Sequence, residues 1–124
     1  MSTHTMRLGP LEIQVMEVLW SEKSATIRQV ITILGQNHAY TTIATVLGNL
    51  ERKTLVHPLR GHGRTVQYEP TCSREQHAAQ LMGQALESSG DRALSIQHFV
   101  QNMSANDINL LREFLEASTP GIQS

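Results

Sequence analysis

The fold is decided by one stretch of sequence, AYTTIATVLGNLERK, which runs from Ala39 to Lys53. Apolar residues recur in it at intervals of three and four positions, which predicts an amphipathic helix with one buried stripe. That stripe consists of Ile43, Val46, Leu47 and Leu50. The opposite side carries hydroxyls, an amide, a glycine and two cations, whereas a solvated helix usually mixes Glu with Lys.

The outer face of this helix suits the major groove of DNA. Thr, Asn and Arg side chains hydrogen-bond to phosphates and base edges, and Gly48 would let the backbone approach a partner closely. An ordinary surface helix explains the stretch equally well when it is taken alone, so the flanking segments decide. The residues of this helix that are predicted to contact DNA are Tyr40, Thr41, Thr42, Thr45, Asn49, Arg52 and Lys53.

Two further helices are predicted upstream. The first has Pro10 at its first position, and the residues from Leu11 to Trp20 are apolar enough to be mostly buried. The second starts at a T-x-x-Q capping box on Thr26 and stops at Gly35. Its N-terminus, with Thr26 and Arg28, is a candidate phosphate site because the helix dipole favours anions there, although a cap without a ligand has the same pattern.

The helix within residues 39–53 is the third of the chain, and we expect Thr41 or its neighbour to cap its start. A hairpin is predicted after this helix. Residues 54–70 form two short runs around a glycine-rich turn, and three helices followed by a hairpin make a winged helix-turn-helix. The hairpin tip carries Arg60, His62 and Arg64. We predict DNA contacts at Arg60 and Arg64, because such a tip suits phosphate or the minor groove. A solvated hairpin is the alternative.

Three more helices are predicted beyond the hairpin, over about residues 73–87, 91–102 and 104–117. One short segment offers too little surface to bury all their apolar stripes, so we expect a second copy of the chain to cover them in an isologous dimer. The alternative is that these helices fold back on the first domain. The residues assigned to the dimer interface are Leu81, Met82, Leu86, Ile96, Phe99, Val100, Met103, Ile108, Leu111, Phe114 and Leu115.

The expected fold class is therefore mainly α with a small β-hairpin wing. We divide the chain into a winged helix-turn-helix DNA-binding domain over residues 1–72 and a helical dimerisation region over residues 73–124. The charges agree with this division. Residues 1–70 hold seven Lys and Arg against five Asp and Glu, and residues 71–124 hold three against six. A mildly basic half joined to an acidic half fits a binding module with a non-binding appendage.

The composition also narrows the class of protein. Cys72 is the only cysteine, which excludes an intrachain disulfide. We expect a cytoplasmic protein, because there is no signal peptide and no apolar run of the roughly 20 residues that a membrane span needs. The histidines are scattered, and no H-E-x-x-H, C-x-x-C, P-loop or G-x-S-x-G motif is present. We predict no metal, no cofactor and no enzymatic activity.

Several of these segments together resemble the BlaI/MecI family of bacterial repressors. The resemblance extends over about residues 8–116. The matching segments are VLW ending at Trp20, ATIR from Ala25, AYTTI from Ala39, LERKTLV from Leu50, GR at Gly63, YEP from Tyr68 and SRE from Ser73.

The resemblance implies a homodimeric winged-helix repressor whose AYTT helix reads a short inverted repeat of DNA. It implies that Thr41, Thr42 and Thr45 face the DNA and that the later helices form the dimer interface. In the best-known members a membrane sensor-protease responds to β-lactam, and the repressor is then cleaved between Asn and Phe in its penultimate helix. The matching bond here joins His98 to Phe99, so a histidine replaces the asparagine.

The main hypothesis is therefore a repressor that binds an inverted-repeat operator as a homodimer. It is released when the dimer is cut or weakened, with a membrane sensor-protease or another protease as the partner. One alternative is a winged-helix module that binds protein. Another is a regulator that senses a small molecule held among Met82, Phe99 and Met103. An enzyme is a third, but the chain lacks any catalytic motif.

Overall fold

Six helices and one β-hairpin form the described part of the chain, which comprises residues 8–35, 37–60, 63 and 65–118 of this computed structural model. The first three helices are α1 (Pro10–Glu22), α2 (Ile27–Leu34) and α3 (Tyr40–Arg52). The hairpin consists of β1 (Val56–Arg60) and β2 (Val66–Pro70), and the later helices are α4 (Arg74–Glu87), α5 (Arg92–Gln101) and α6 (Ala105–Ser118). This order confirms the predicted fold class.

The chain divides into two compact units, residues 1–84 and 85–124, and the division lies inside α4. The domain boundary after residue 72 separates proposed DNA-binding residues from proposed dimerising residues, and it stays a prediction. Within the described ranges, no helix is both long enough and apolar enough to cross a bilayer.

The core of the first unit fixes the orientation of α3. The predicted stripe is confirmed, because all four of its residues are buried. They pack against residues of α1, α2 and β1. The largest fully buried side chains are Val15, Met16, Leu19, Val30, Ile43, Leu47, Leu50, Leu55 and Val56. Since this face of α3 is committed to the core, its opposite face points away from the unit.

The prediction that α1 is mostly buried is only partly right. Val15, Met16 and Leu19 are buried, but Ile13 is 45% exposed and Trp20 is half-buried. Helical spacing puts Ile13 and Trp20 together at the edge of the buried face, two turns apart. There they border a groove beside the start of α4.

The helix ends follow the sequence at α2 but not at α3. Thr26 and Gln29 form the predicted capping box, and Gly35 ends α2 in the left-handed conformation with φ of 69°. The prediction that Thr41 or a neighbouring side chain caps α3 is wrong. Ala39 is the N-cap, and it has no side chain that can accept a hydrogen bond. Thr41 lies inside the first turn with its side chain exposed.

An isolated β-bridge joins the hairpin to the link between the first two helices. The strands pair in antiparallel register from Val56 opposite Pro70 onward. Ala25, in the link between α1 and α2, pairs with Tyr68 of β2. The Ala25 N–H donates to the Tyr68 carbonyl at 3.0 Å, and the Tyr68 N–H donates back at 2.8 Å. The local sequence pattern does not show this bridge.

The start of α4 packs on α1 around Trp20. The indole Nε1 donates to the carbonyl of Cys72 at 2.9 Å. The guanidinium carbon of Arg74 lies 5.4 Å from the indole ring centre, and Arg74 Nε donates to Glu17 Oε1 at 3.1 Å. The ring of His77 lies 5.6 Å from the indole, centroid to centroid. These contacts hold the first turn of α4 on the first unit.

Acid should weaken this packing through His77. The side chain is buried, its Nδ1 has no hydrogen-bond partner among the described residues, and burial lowers its pKa. The unfolded chain therefore binds the proton more tightly than the folded chain does. The free energy of unfolding should have its highest value above about pH 6.5, the pKa of histidine in the unfolded chain. It should fall as the pH drops below that value and become constant again below the pKa of His77 in the folded chain. Urea unfolding across this range measures the effect.

The matched variants for this experiment are His77→Phe and His98→Gln. The first keeps an aromatic ring beside Trp20 but cannot titrate, so its unfolding free energy should depend less on pH than that of the wild type. The second removes an exposed histidine of α5 and is the control for the loss of a histidine as such. An unchanged slope in His77→Phe contradicts the prediction.

Candidate nucleic-acid interface

The outer face of α3 brings together the hydroxyls predicted to contact DNA. Thr41, Thr42 and Thr45 are exposed, and their hydroxyls form no hydrogen bond to any other described residue. Tyr40, at the start of the helix, is 49% exposed. Hydroxyls that the fold itself does not use remain available to phosphates and base edges.

Arg52 closes the same face at the end of α3. Its guanidinium is exposed, and Nη2 donates to Oδ1 of Asn49 one turn earlier. Asn49 is half-buried, so the pair holds the arginine against the helix surface. Glu51 is the single acid of α3, and the first turn of the helix contains none.

Lys53 has a structural partner that the sequence did not reveal. Its Nζ lies 3.1 and 3.2 Å from the two carboxylate oxygens of Glu12, whose side chain is only 14% exposed. The same carboxylate accepts the Gly9 N–H at 2.9 Å at the start of α1. Lys53 therefore joins the end of α3 to α1. Its contact with DNA stays a prediction, but its charge is already compensated within the fold.

Of the two residues predicted to bind phosphate at the N-terminus of α2, Arg28 is free to do so, whereas Thr26 is used in capping the helix. The Thr26 hydroxyl oxygen already accepts the Gln29 N–H at 3.1 Å, and Gln29 Oε1 accepts the Thr26 N–H at 2.8 Å. Arg28 is exposed, and its guanidinium carbon lies 5.5 Å from the ring centre of Tyr40. The candidates of α2 and α3 thus meet at one place.

Of the two wing residues predicted to contact DNA, Arg60 lies in the described part of the chain. Arg60, the last residue of β1, is exposed. Arg64 and His62 of the predicted tip lie outside the described residues. Behind the tip, His57 Nε2 lies 2.8 Å from Glu69 Oε1 on the paired strand.

The described cations of the first unit fall into two groups, those that form an ion pair within the fold and those that do not. Lys53 and Arg74 are paired with carboxylates of α1. Arg28, Arg52 and Arg60 form no ion pair with any described carboxylate, and neither does Lys23 at the end of α1. The uncompensated arginines belong to α2, α3 and β1, the elements that were predicted to contact DNA. A polyanion would find its counter-charges there.

The second unit exposes apolar side chains along α5 and α6. Large exposed apolar surface on a small unit usually marks an interaction site. Of the predicted interface residues in this unit, the exposed ones are Ile96, Phe99, Val100, Leu111, Phe114 and Leu115, and the half-buried ones are Leu86, Met103 and Ile108. The two predicted residues in the first unit's part of α4 are Met82, which is exposed, and Leu81, which is half-buried. Leu94 and Leu110 are also exposed and were missed, because they lie beside the stripes and not on them. The interface assignment itself stays a prediction.

The candidate cleavage bond, His98–Phe99, lies inside α5. The His98 carbonyl accepts a hydrogen bond from Asn102 Nδ2 at 2.9 Å, and Phe99 is 58% exposed. Proteases act on locally opened chain, so this bond becomes available only when the end of α5 unwinds.

The described ranges were searched for side chains grouped as metal ligands would be. They contain no cluster of three or more His, Cys, Asp or Glu that could hold a metal ion. The thiol of Cys72 is half-buried, and burial raises its pKa, which keeps it in the unreactive protonated form.

The chain was compared with families of known proteins. A profile of the penicillinase repressor family matches residues 8–117, which is nearly the whole chain. The chain belongs to the penicillinase repressor family. The predicted resemblance to the BlaI/MecI repressors is thereby confirmed.

Individual members and solved structures agree with this assignment. The transcriptional regulator BlaI of Mycobacterium tuberculosis strain H37Rv is 41% identical over 115 residues, which covers 88% of this chain and 83% of that protein. The solution structure of the DNA-binding domain of the repressor BlaI matches with a TM-score of 0.50 and 26% identity, over 60% of this chain and 90% of that one.

A more distant structure shows the fold alone. A mutant of MarR from E. coli, complexed with operator DNA, has a TM-score of 0.52 and 15% identity, over 93% of this chain and 78% of that one. Family membership, the mycobacterial relative and the BlaI DNA-binding domain together identify this chain as a BlaI-like transcriptional repressor with a winged helix of the DNA-binding type.

Proposed function

We propose that the protein binds an inverted-repeat operator in double-stranded DNA as a homodimer, with α3 of each chain in the major groove. The observation that carries the proposal is the outer face of α3. There Thr41, Thr42 and Thr45 expose hydroxyls that the fold does not use, while the opposite face is locked into the core. A helix fixed this way presents its polar face without reorganisation.

The polar residues divide into two roles. The threonines of α3 lie on the face that enters the groove, so they read base edges. Arg28, Arg52 and Arg60 lie on three different elements and carry uncompensated charge, so they bind phosphates and set the register. We assign Lys53 a smaller part, because Glu12 already neutralises it.

The apolar faces of α5 and α6 supply the proposed homodimer interface. A second copy offers the same surface, and a two-fold axis matches an inverted repeat. Joining two half-site binders multiplies their affinities through effective concentration. Cutting or unwinding α5 near His98–Phe99 removes that multiplication and releases the operator. The protein would act in the cytoplasm, where the operator lies, and a protease, such as a membrane sensor-protease, would deliver the signal.

The test is selection followed by titration. The full chain is used to enrich duplexes from a random library, and binding to an enriched duplex and to its scrambled version is measured by fluorescence anisotropy at several salt concentrations. Three arginines in each of two chains predict a slope of about −5 for log affinity against log salt. We expect preference for an inverted repeat and saturation at two chains per duplex.

The rival function, a winged helix that binds protein, predicts a different result. Selection with such a module would yield no shared sequence, and any duplex recovered from it would bind no more tightly than its scrambled version. That outcome overturns the proposed function. Sequence-selective binding at one chain per duplex would retain DNA reading but refute the homodimer.

A further inference from the structure

Tyr40 stands where the two helices of the helix-turn-helix meet, and its ring lies against Arg28. The guanidinium carbon is 5.5 Å from the ring centre, which is within the range of a cation–π contact. Tyr40 is the first residue of α3, and Arg28 is the second residue of α2. We propose that Tyr40 is a positioning residue that holds Arg28 for a DNA phosphate and affects DNA binding only through that arginine. The inference rests on the proposed DNA binding.

Arg28 has no other charged anchor in the described chain. It is exposed and pairs with no described carboxylate. A long exposed side chain samples many rotamers, and ordering it upon binding costs conformational entropy. Contact with the ring restricts Arg28 before DNA arrives, so less entropy is lost in the complex.

The chemistry of the pair suits a phosphate partner. A guanidinium above an aromatic face keeps its N–H edges available for two phosphate oxygens. A lysine at the same place would be a compact, strongly hydrated charge without a flat surface to stack. The ring therefore explains why an arginine, and not merely a cation, is useful at this position.

The competing explanation is direct contact of the Tyr40 hydroxyl with DNA. The two explanations differ in what each atom of the side chain contributes. If Tyr40 acts through Arg28, the ring matters and the hydroxyl does not. If Tyr40 touches DNA itself, removal of the hydroxyl alone weakens binding, whatever residue stands at position 28.

The experiment compares Tyr40→Phe, Tyr40→Leu, Arg28→Ala and the double variant Tyr40→Leu/Arg28→Ala in the full chain on the enriched duplex. Tyr40→Phe should bind within about twofold of the wild type, because the ring remains. Tyr40→Leu should bind about fivefold to thirtyfold more weakly, since each dimer loses the contact twice. The double variant should bind no more weakly than Arg28→Ala alone.

Two results would overturn the inference. One is a Tyr40→Phe variant as weak as Tyr40→Leu, and the other is additivity of Tyr40→Leu and Arg28→Ala. Thermal unfolding checks that the variants fold, and Arg28→Lys gives a second line of evidence: it should weaken binding when Tyr40 is present but not in Tyr40→Leu. Failure of the proposed function looks different, because then the wild type itself would not distinguish the enriched duplex from its scrambled version.

Discussion

The double variant Leu111→Glu/Phe114→Glu should be monomeric and should bind the operator about a hundredfold to ten-thousandfold more weakly than the wild type. Phe114 is 62% exposed and Leu111 is 40% exposed in the single chain, so neither holds its own protomer together. In the proposed dimer each would contribute about 1.5–3 kcal/mol through burial, and a buried carboxylate would oppose association further. Sedimentation velocity and operator titration measure the two effects.

The control for this variant is Asn106→Glu, which adds one negative charge to an exposed position of α6 off the apolar stripe. It should remain dimeric and bind normally. Loss of α6 by truncation after Asn102 should reproduce the monomer. A double variant that stays dimeric at micromolar concentration refutes the interface. A monomer that binds the operator as tightly as the wild type refutes the coupling between dimerisation and affinity.

The orientation of α3 could be predicted from the sequence because it depends on a local pattern. A period of 3.6 residues decides which side chains of one helix share a face. Once Ile43, Leu47 and Leu50 are assigned to the core, Thr45 must lie on the other side. The same reasoning found the exposed stripe of α6. It identifies candidate surfaces but does not identify what they bind.

The pairings between elements could not be predicted in the same way. Glu12 and Lys53 are 41 residues apart, and each looks locally like a surface charge. Arg28 and Tyr40 meet only because the fold brings the starts of α2 and α3 close together. Such contacts depend on how the helices pack, which no short-range spacing specifies. The consequence for function is direct, because packing decides which cations are neutralised and which remain for DNA.

The error at the start of α3 has a physical reason as well. A threonine near the beginning of a helix usually signals a cap, because its oxygen can accept a backbone N–H. Ala39 enters the helix in an extended conformation instead, with φ of −71° and ψ of 147°. Thr41 and Thr42 are therefore left with exposed hydroxyls. Local rules that fail in this manner are a common sign of a residue kept for binding.

Thr45→Val should lower operator affinity while leaving affinity for scrambled DNA unchanged. Valine keeps the shape of threonine and removes the hydroxyl. Thr45 is exposed on the outer face in the first half of α3, and the N-terminal part of a recognition helix is the part that contacts base edges. A contact to a base edge contributes about 1–3 kcal/mol, and the dimer loses it twice. We therefore expect operator binding to weaken about thirtyfold or more, with a correspondingly smaller ratio of operator to scrambled affinity.

Arg52→Gln should act differently, because we assign it to phosphate. Affinity for both duplexes should fall together, and the salt slope should become shallower by about 2, since each chain gives up one phosphate contact. Arg92→Gln removes the same charge from α5 and should change neither quantity. Thr45→Val and Arg52→Gln thus distinguish contacts to base edges from contacts to phosphates on the same helix. If Thr45→Val weakens both duplexes equally, or Arg52→Gln leaves the salt slope unchanged, the assignment of these roles is wrong even though the fold stands.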